Sequence, residues 1–120
     1  MTTTPGSPPL HRELTAGRWH SLPLVEQMAN VGSEVGRTIR ALAQGNAERA
    51  TSAMTRALEL FDLTAADPRW KGPARREVLR ARELYCGLRY ATTPPPGDAE
   101  FIERYFLQFA IAARRSRSVG

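Results

Sequence analysis

Arg75, Arg82 and Arg89 recur every seven residues, and Arg76 and Arg80 stand one helical turn apart beside them. A guanidinium is flat and permanently charged, and its N–H groups can grip a phosphate or carboxylate through two parallel hydrogen bonds. On a helix, residues seven apart share a face about two turns apart, so the first three arginines form a stripe and the other two a neighbouring row. Glu83 is placed to partner Arg80 at i+3. With only Glu77 and Glu83 opposing five arginines, this face stays positive. Arg114, Arg115 and Arg117 add a second basic cluster beyond a last helix, whose C-terminal dipole they complement. The chemistry such side chains offer is phosphate recognition that is sensitive to salt and nearly indifferent to base sequence. The competing reading is a solvated face whose long side chains cover the edge of the core.

Other chemistries find no footing. His11 and His20 are the only histidines, and neither HExxH nor CxxC spacing occurs, so a zinc site is not expected. GxxxxGK[ST], GxGxxG and GxSxG are all missing. Glu59, Asp62, Asp67, Glu77 and Glu83 could converge as acid–base or metal carboxylates, yet none has an ExxH companion. Asp62 and Asp67 read better as helix-end residues, and Glu26 and Glu34 as one solvated row. Cys86, the sole cysteine, falls on the outer side of the third helix between Arg82 and Arg89 and reads as a small buried hydrophobe. No catalytic residue, metal or cofactor is assigned.

These residues need helices to position them. Leu24, Met28, Val31, Val35, Ile39 and Leu42 recur at helical intervals, with Ser21 as the expected N-cap, Pro23 in the first turn and Gly45 as the stop. Gly32 and Gly36 interrupt this helix one turn apart, which predicts a close helix crossing, because each mid-helix glycine costs about 1 kcal/mol. Asn46 caps a second helix carrying Ala50, Met54, Ala57, Leu58 and Phe61, ended by Asp67 and Pro68. After a linker at 69–73, a third helix from Pro73 to about Tyr90 buries Val78, Ala81, Leu84, Tyr85 and Leu88. A stiff proline connector over 92–98 leads to Asp98, the expected cap of a fourth helix with Phe101, Ile102, Tyr105, Phe106, Phe109, Ala112 and Ala113.

The expected fold is therefore all-α: an antiparallel up-and-down four-helix bundle over residues 21–115, a flexible, disordered N-terminal tail over 1–20, and a basic C-terminal tail over 116–120. The aromatic crowding of the last helix exceeds what one seam needs, which predicts a homo-oligomer. No apolar leader or membrane-length segment occurs and the single cysteine has no disulfide partner, so a cytoplasmic location with no membrane contact is expected.

The net charge is +5 and sixteen of the seventeen basic residues are arginine, Lys71 being the exception. A nucleic-acid partner, RNA or DNA, fits this balance, and so does GC-rich codon usage. Mapped by segment, the first helix is neutral, the second carries −2 and residues 68–91 carry +5, so the excess belongs to the third helix and its lead-in.

The segments GSEVGRTIRALAQGN (32–46), RALELFDLTAADPR (56–69), RREVLRARELYCGLRY (75–90) and YFLQFAIAARR (105–115) resemble a family of short prokaryotic helical proteins of no assigned activity. In architecture and basicity the chain is also similar to the four-helix-bundle proteins of 23S rRNA intervening sequences and to the accessory bundle of diversity-generating retroelements. That similarity implies a ring-forming partner of nucleic acid and of a reverse transcriptase. The HEPN ribonucleases place an Arg, four to six residues and then His on a late helix, a spacing not found here. The expectation is a non-enzymatic bundle binding nucleic acid, or a nucleic-acid enzyme, through Arg75, Arg76, Arg80, Arg82, Arg89, Arg114, Arg115 and Arg117. The alternative is an antitoxin-like or scaffold module meeting an acidic protein partner with the same face.

Overall fold

A computed structural model describes residues 17–90 and 97–119, all of them in helices or in the turns that join them, with no strand among the described residues. Helix α1, Leu24–Ala43, begins directly after Pro23, whose carbonyl accepts from the amides of Glu26 and Gln27, both at 3.0 Å. Ser21 is not its cap. A residue preceding proline avoids helical backbone, so α1 cannot start earlier, and the Ser21 hydroxyl instead donates to the Arg18 carbonyl at 2.6 Å.

The buried face of α1 contains Met28, Val31 and Val35, then Gln27, Thr38 and Ala41, while Leu42, expected in the seam, is 44% exposed. A seven-residue repeat slips about 20° per heptad on a straight helix, which carries position 42 to the outside and brings 38 and 41 inward. Gly45, with φ at 70°, closes α1. Its amide donates to the Leu42 carbonyl at 3.1 Å and that of Asn46 to Ala41 at 2.9 Å, the paired bonds of a Schellman turn. The Asn46 side chain then accepts from the Arg49 amide at 3.0 Å and starts α2, Ala47–Ala65.

Helix α2 buries Ala50, Ala53, Ala57, Phe61 and Thr64. Helix α3, Pro73–Tyr90, follows Gly72, with φ at 56°, and buries Val78, Ala81, Tyr85 and Leu88. Helix α4, Asp98–Val119, buries Ile102, Phe106 and Ala113. Asp98 is its first residue rather than the cap before it, and sits where a carboxylate favours the helix dipole. Residues 116–119, expected as a tail, continue α4: no Gly or Pro precedes Gly120, and arginine is a good helix former. Most of the expected proline connector, residues 91–96, lies outside the described residues.

Helix α1 packs on both α2 and α4, and α3 touches α2 and α4. Rings from three helices meet at the centre, Phe61 against Tyr85 at 5.8 Å and against Phe106 at 6.2 Å between centroids. Gly32 supplies the fourth wall: a Cβ there would stand 2.9 Å from Phe106 Cβ, so the expected close crossing forms at Gly32, where α1 meets α4. Gly36 makes no such crossing; its open side is occupied by the guanidinium of Arg40 on the same helix.

The fold also reaches further toward the N-terminus than residue 21. Residues 17–19 are helical, Trp19 is 6% exposed within the core, and its indole N–H donates to Thr64 Oγ1 at 2.9 Å. His20 Nε2 lies 3.0 Å from the Leu63 carbonyl. The remainder of the expected tail, residues 1–16, is outside the described residues. No helix among them is long and apolar enough to cross a membrane.

Candidate polyanion interface

The stripe on α3 divides by what its members touch. Arg75 donates through Nη1 to the carbonyl of Ala65, the last residue of α2, where helix ends leave carbonyls without intrahelical partners. Arg82 Nε donates to Asp62 Oδ1 at 3.2 Å, and its Nη1 lies 4.0 Å from Cys86 Sγ. Both guanidinia reach across the α2–α3 junction, because a stripe flanking the apolar seam leans toward the neighbouring helix. Asp62, expected as a helix-end residue, is thus the carboxylate partner of Arg82. With side-chain exposures of 37% and 67%, this pair is solvated and contributes little to stability.

Arg76 and Arg80 are different. Both are exposed, and neither side chain makes a hydrogen bond or ion pair among the described residues, although the charge of Arg80 is near enough to oppose the rise in the Tyr105 pKa. The expected Arg80–Glu83 pair is not formed. Glu77 accepts the phenol proton of Tyr105 from α4, and burial, followed by this bond and the nearby carboxylate charge, raises the Tyr105 pKa. Arg76 and Arg80 stand with Pro73, Leu79, Arg82 and the two carboxylates Glu77 and Glu83 along a shallow depression.

Arg114 and Arg115 are exposed on the last turns of α4. They lie about 14 Å along its axis from Tyr105, at 1.5 Å per residue. The side chains of Arg89 and Arg117 lie outside those described.

A second basic site escapes the segment-by-segment view of charge. Arg37 and Arg40 from α1, with Gln44 just past its end, face Arg49, Ser52 and Arg56 from α2 across a cleft of about 450 Å³, floored by Ala41 and Ala53. Arg37 holds Glu34 at 2.7 Å. The side chains of Arg40, Arg49 and Arg56 have no hydrogen-bonding or ion-pair partner among the described residues. Helices α1 and α2 are neutral and negative as segments, which hides the cluster. The legible signal is the placement of two arginines on either side of Gly45: a tight hairpin there folds 37 and 40 back against 49 and 56.

No group of three His, Cys, Asp or Glu side chains among the described residues could hold a metal ion. Asp67, a candidate carboxylate, is 1% exposed and spends its oxygens on Arg69 and Gln27. Comparison with protein-family models, curated proteins and solved structures finds no match, so the functional reading rests on this geometry.

Proposed function

We propose that this protein is a non-enzymatic cytoplasmic bundle, antiparallel and up-and-down in topology, that binds RNA or DNA without sequence preference through outward arginines of α3 and α4. The observation that carries the reading is the exposure of Arg76 and Arg80: two permanent cations, one turn apart, whose side chains form no ion pair with a carboxylate among the described residues. Arg114 and Arg115 lengthen the track, while Arg75 and Arg82 serve the α2–α3 junction and contribute less to binding. A nucleic-acid enzyme such as a reverse transcriptase would present its bound strand to the same side chains. Self-association belongs to the proposal as well. Leu107 at 54% and Ile111 at 40% exposed form an i, i+4 apolar pair on α4, and Phe101 is 52% exposed on the same helix. A homo-oligomer would cover them and repeat the arginine track, adding avidity.

The test is fluorescence anisotropy with a labelled single-stranded RNA and a DNA duplex across a salt series. Binding at low salt should fall steeply as salt rises, with a log–log slope of about −0.7 per phosphate contact on the single strand. R76E/R80E should weaken it at least about tenfold, and R75Q/R82Q less than about threefold. Affinity at low salt no better than for a neutral polymer of similar size would refute the proposal. Heparin competition that leaves capture of an acidic protein intact would favour the scaffold alternative.

A further inference from the structure

The cleft between α1 and α2 is a concave site separate from the α3 track, and its composition specifies a ligand. Four guanidinia line it with no carboxylate among its described lining residues, and one of the four, Arg37, also holds Glu34. Like charges gathered around one cleft repel, a cost that a bound anion removes. Ser52 and Gln44 add a neutral hydroxyl and an amide, both able to donate to phosphate oxygens. The floor is alanine, and no aromatic ring lines the cleft, so nothing is present to stack a nucleobase.

Length sets the rest. Arg49 and Arg56 are seven residues apart on α2, about 10 Å along its axis, a length along which more than one phosphate group can lie. The hairpin that positions them is fixed by the Gly45 turn and the Asn46 cap.

We infer that this cleft binds a compact oligophosphate, a run of about three linked phosphate groups, either free or as the triphosphate of a nucleotide. Recognition falls on the phosphates: Arg49 and Arg56 take the two ends, and Arg37 and Arg40 close over the middle from α1. The site goes beyond the nucleic-acid reading and does not depend on it.

Isothermal titration of the full chain at low salt with tripolyphosphate, ATP and orthophosphate tests this. Tripolyphosphate should bind, ATP should match it within about threefold because the base is not read, and orthophosphate should bind at least about tenfold more weakly. R49Q/R56Q should weaken tripolyphosphate at least about tenfold, as expected when charge-assisted hydrogen bonds are removed. R49K/R56K, which keeps the charge and loses the fork, should fall between the two. R76E/R80E should weaken tripolyphosphate binding far less than R49Q/R56Q does, and circular dichroism should show every variant folded. Absent tripolyphosphate binding, equal binding of orthophosphate, or an equal loss in R76E/R80E would each overturn the inference. So would R49Q/R56Q losing RNA affinity as strongly as tripolyphosphate affinity, since the cleft would then belong to the nucleic-acid track.

Discussion

Gln27 of α1 and Asp67 of the α2–α3 loop are both fully buried and bonded side chain to side chain, Gln27 Nε2 donating to Asp67 Oδ2 at 3.0 Å. The same amide nitrogen donates to the Trp19 carbonyl at 2.9 Å, and Gln27 Oε1 accepts from Trp70 Nε1 at 2.6 Å. Asp67 also accepts from the Arg69 amide and guanidinium, and Arg69 Nη2 reaches on to the Leu22 carbonyl at 2.6 Å. Its guanidinium lies 4.4 Å from the centre of the Trp70 ring. One amide and one carboxylate therefore clasp the chain entering α1 to the chain leaving α2. Buried polar groups stabilise only when all are satisfied, and here every oxygen and nitrogen of the pair has a partner.

Asp67→Asn should break this clasp. Asparagine has one acceptor oxygen, so its amide must point a donor at either Gln27 or Arg69, leaving donors facing donors. The expected loss is about 2–3 kcal/mol, the range for stranding buried hydrogen-bonding groups beside a charge. Urea unfolding measures it, and a loss under about 0.5 kcal/mol would show the network to be dispensable.

Acid should act through the same carboxylate. The Arg69 side-chain hydrogen bonds hold Asp67 far below the ordinary carboxylate range; burial opposes them, and the Arg69 amide and Gln27 add to them. A native pKa below the unfolded one, about 3.9, gives stability that is present above that value and lost as pH falls through the native one. The urea midpoint should therefore drop steadily below about pH 5. In Asp67→Asn the same acid range should have a shallower slope, and parallel curves for the two proteins would assign the acid sensitivity to other carboxylates.

Trp19→Phe separates packing from hydrogen bonding at the N-terminal junction. Phenylalanine keeps most of the apolar contact and removes the indole N–H that reaches Thr64, whose hydroxyl still donates to the Leu60 carbonyl at 2.7 Å. A loss of about 1–2 kcal/mol is expected, against about 3–5 kcal/mol for Trp19→Ala, which empties a core position. Thermal denaturation followed by circular dichroism distinguishes the two. If Trp19→Ala unfolds like the parent protein, Trp19 is not part of the core.

What the sequence made legible follows from how local its causes are. Helix bounds near Gly45, Asn46 and Pro73 depend on backbone rules acting over a few residues, and the turn, the cap and the helix start stand where those rules put them. Trp19 reads as part of a tail because the hydrogen-bond partner of its indole, Thr64, is 45 residues away in sequence. Arg75 and Arg82, seven residues apart, both turn toward α2, but what a face meets depends on the neighbouring helix: Ala65 and Asp62 engage Arg75 and Arg82, and Arg76 and Arg80 are left outward. The α1–α2 cleft was hidden for a further reason. Summing charge by helix cancels Arg37, Arg40, Arg49 and Arg56 against the acids of the same helices, whichever side those acids occupy.

Gly32 and Gly36 look equivalent in the sequence, yet alanine at the two positions should act in opposite directions. Each substitution gains helix propensity of about 1 kcal/mol. At position 32 the new methyl would stand 2.9 Å from Phe106 Cβ and 3.1 Å from its Cδ1. Phe106 Cβ is fixed to the α4 backbone and its ring packs against Phe61, so relief requires α4 to shift, and such overpacking costs about 1–3 kcal/mol. At position 36 the nearest atom is Arg40 Nη1 at 3.3 Å, the far end of a flexible, exposed side chain that can swing aside. Gly32→Ala should therefore lower the urea midpoint or leave no gain, while Gly36→Ala should raise stability by about 0.5–1 kcal/mol. Equal stabilisation by both would mean that α1 and α4 do not approach closely at Gly32, and equal destabilisation would place a rigid neighbour against Gly36.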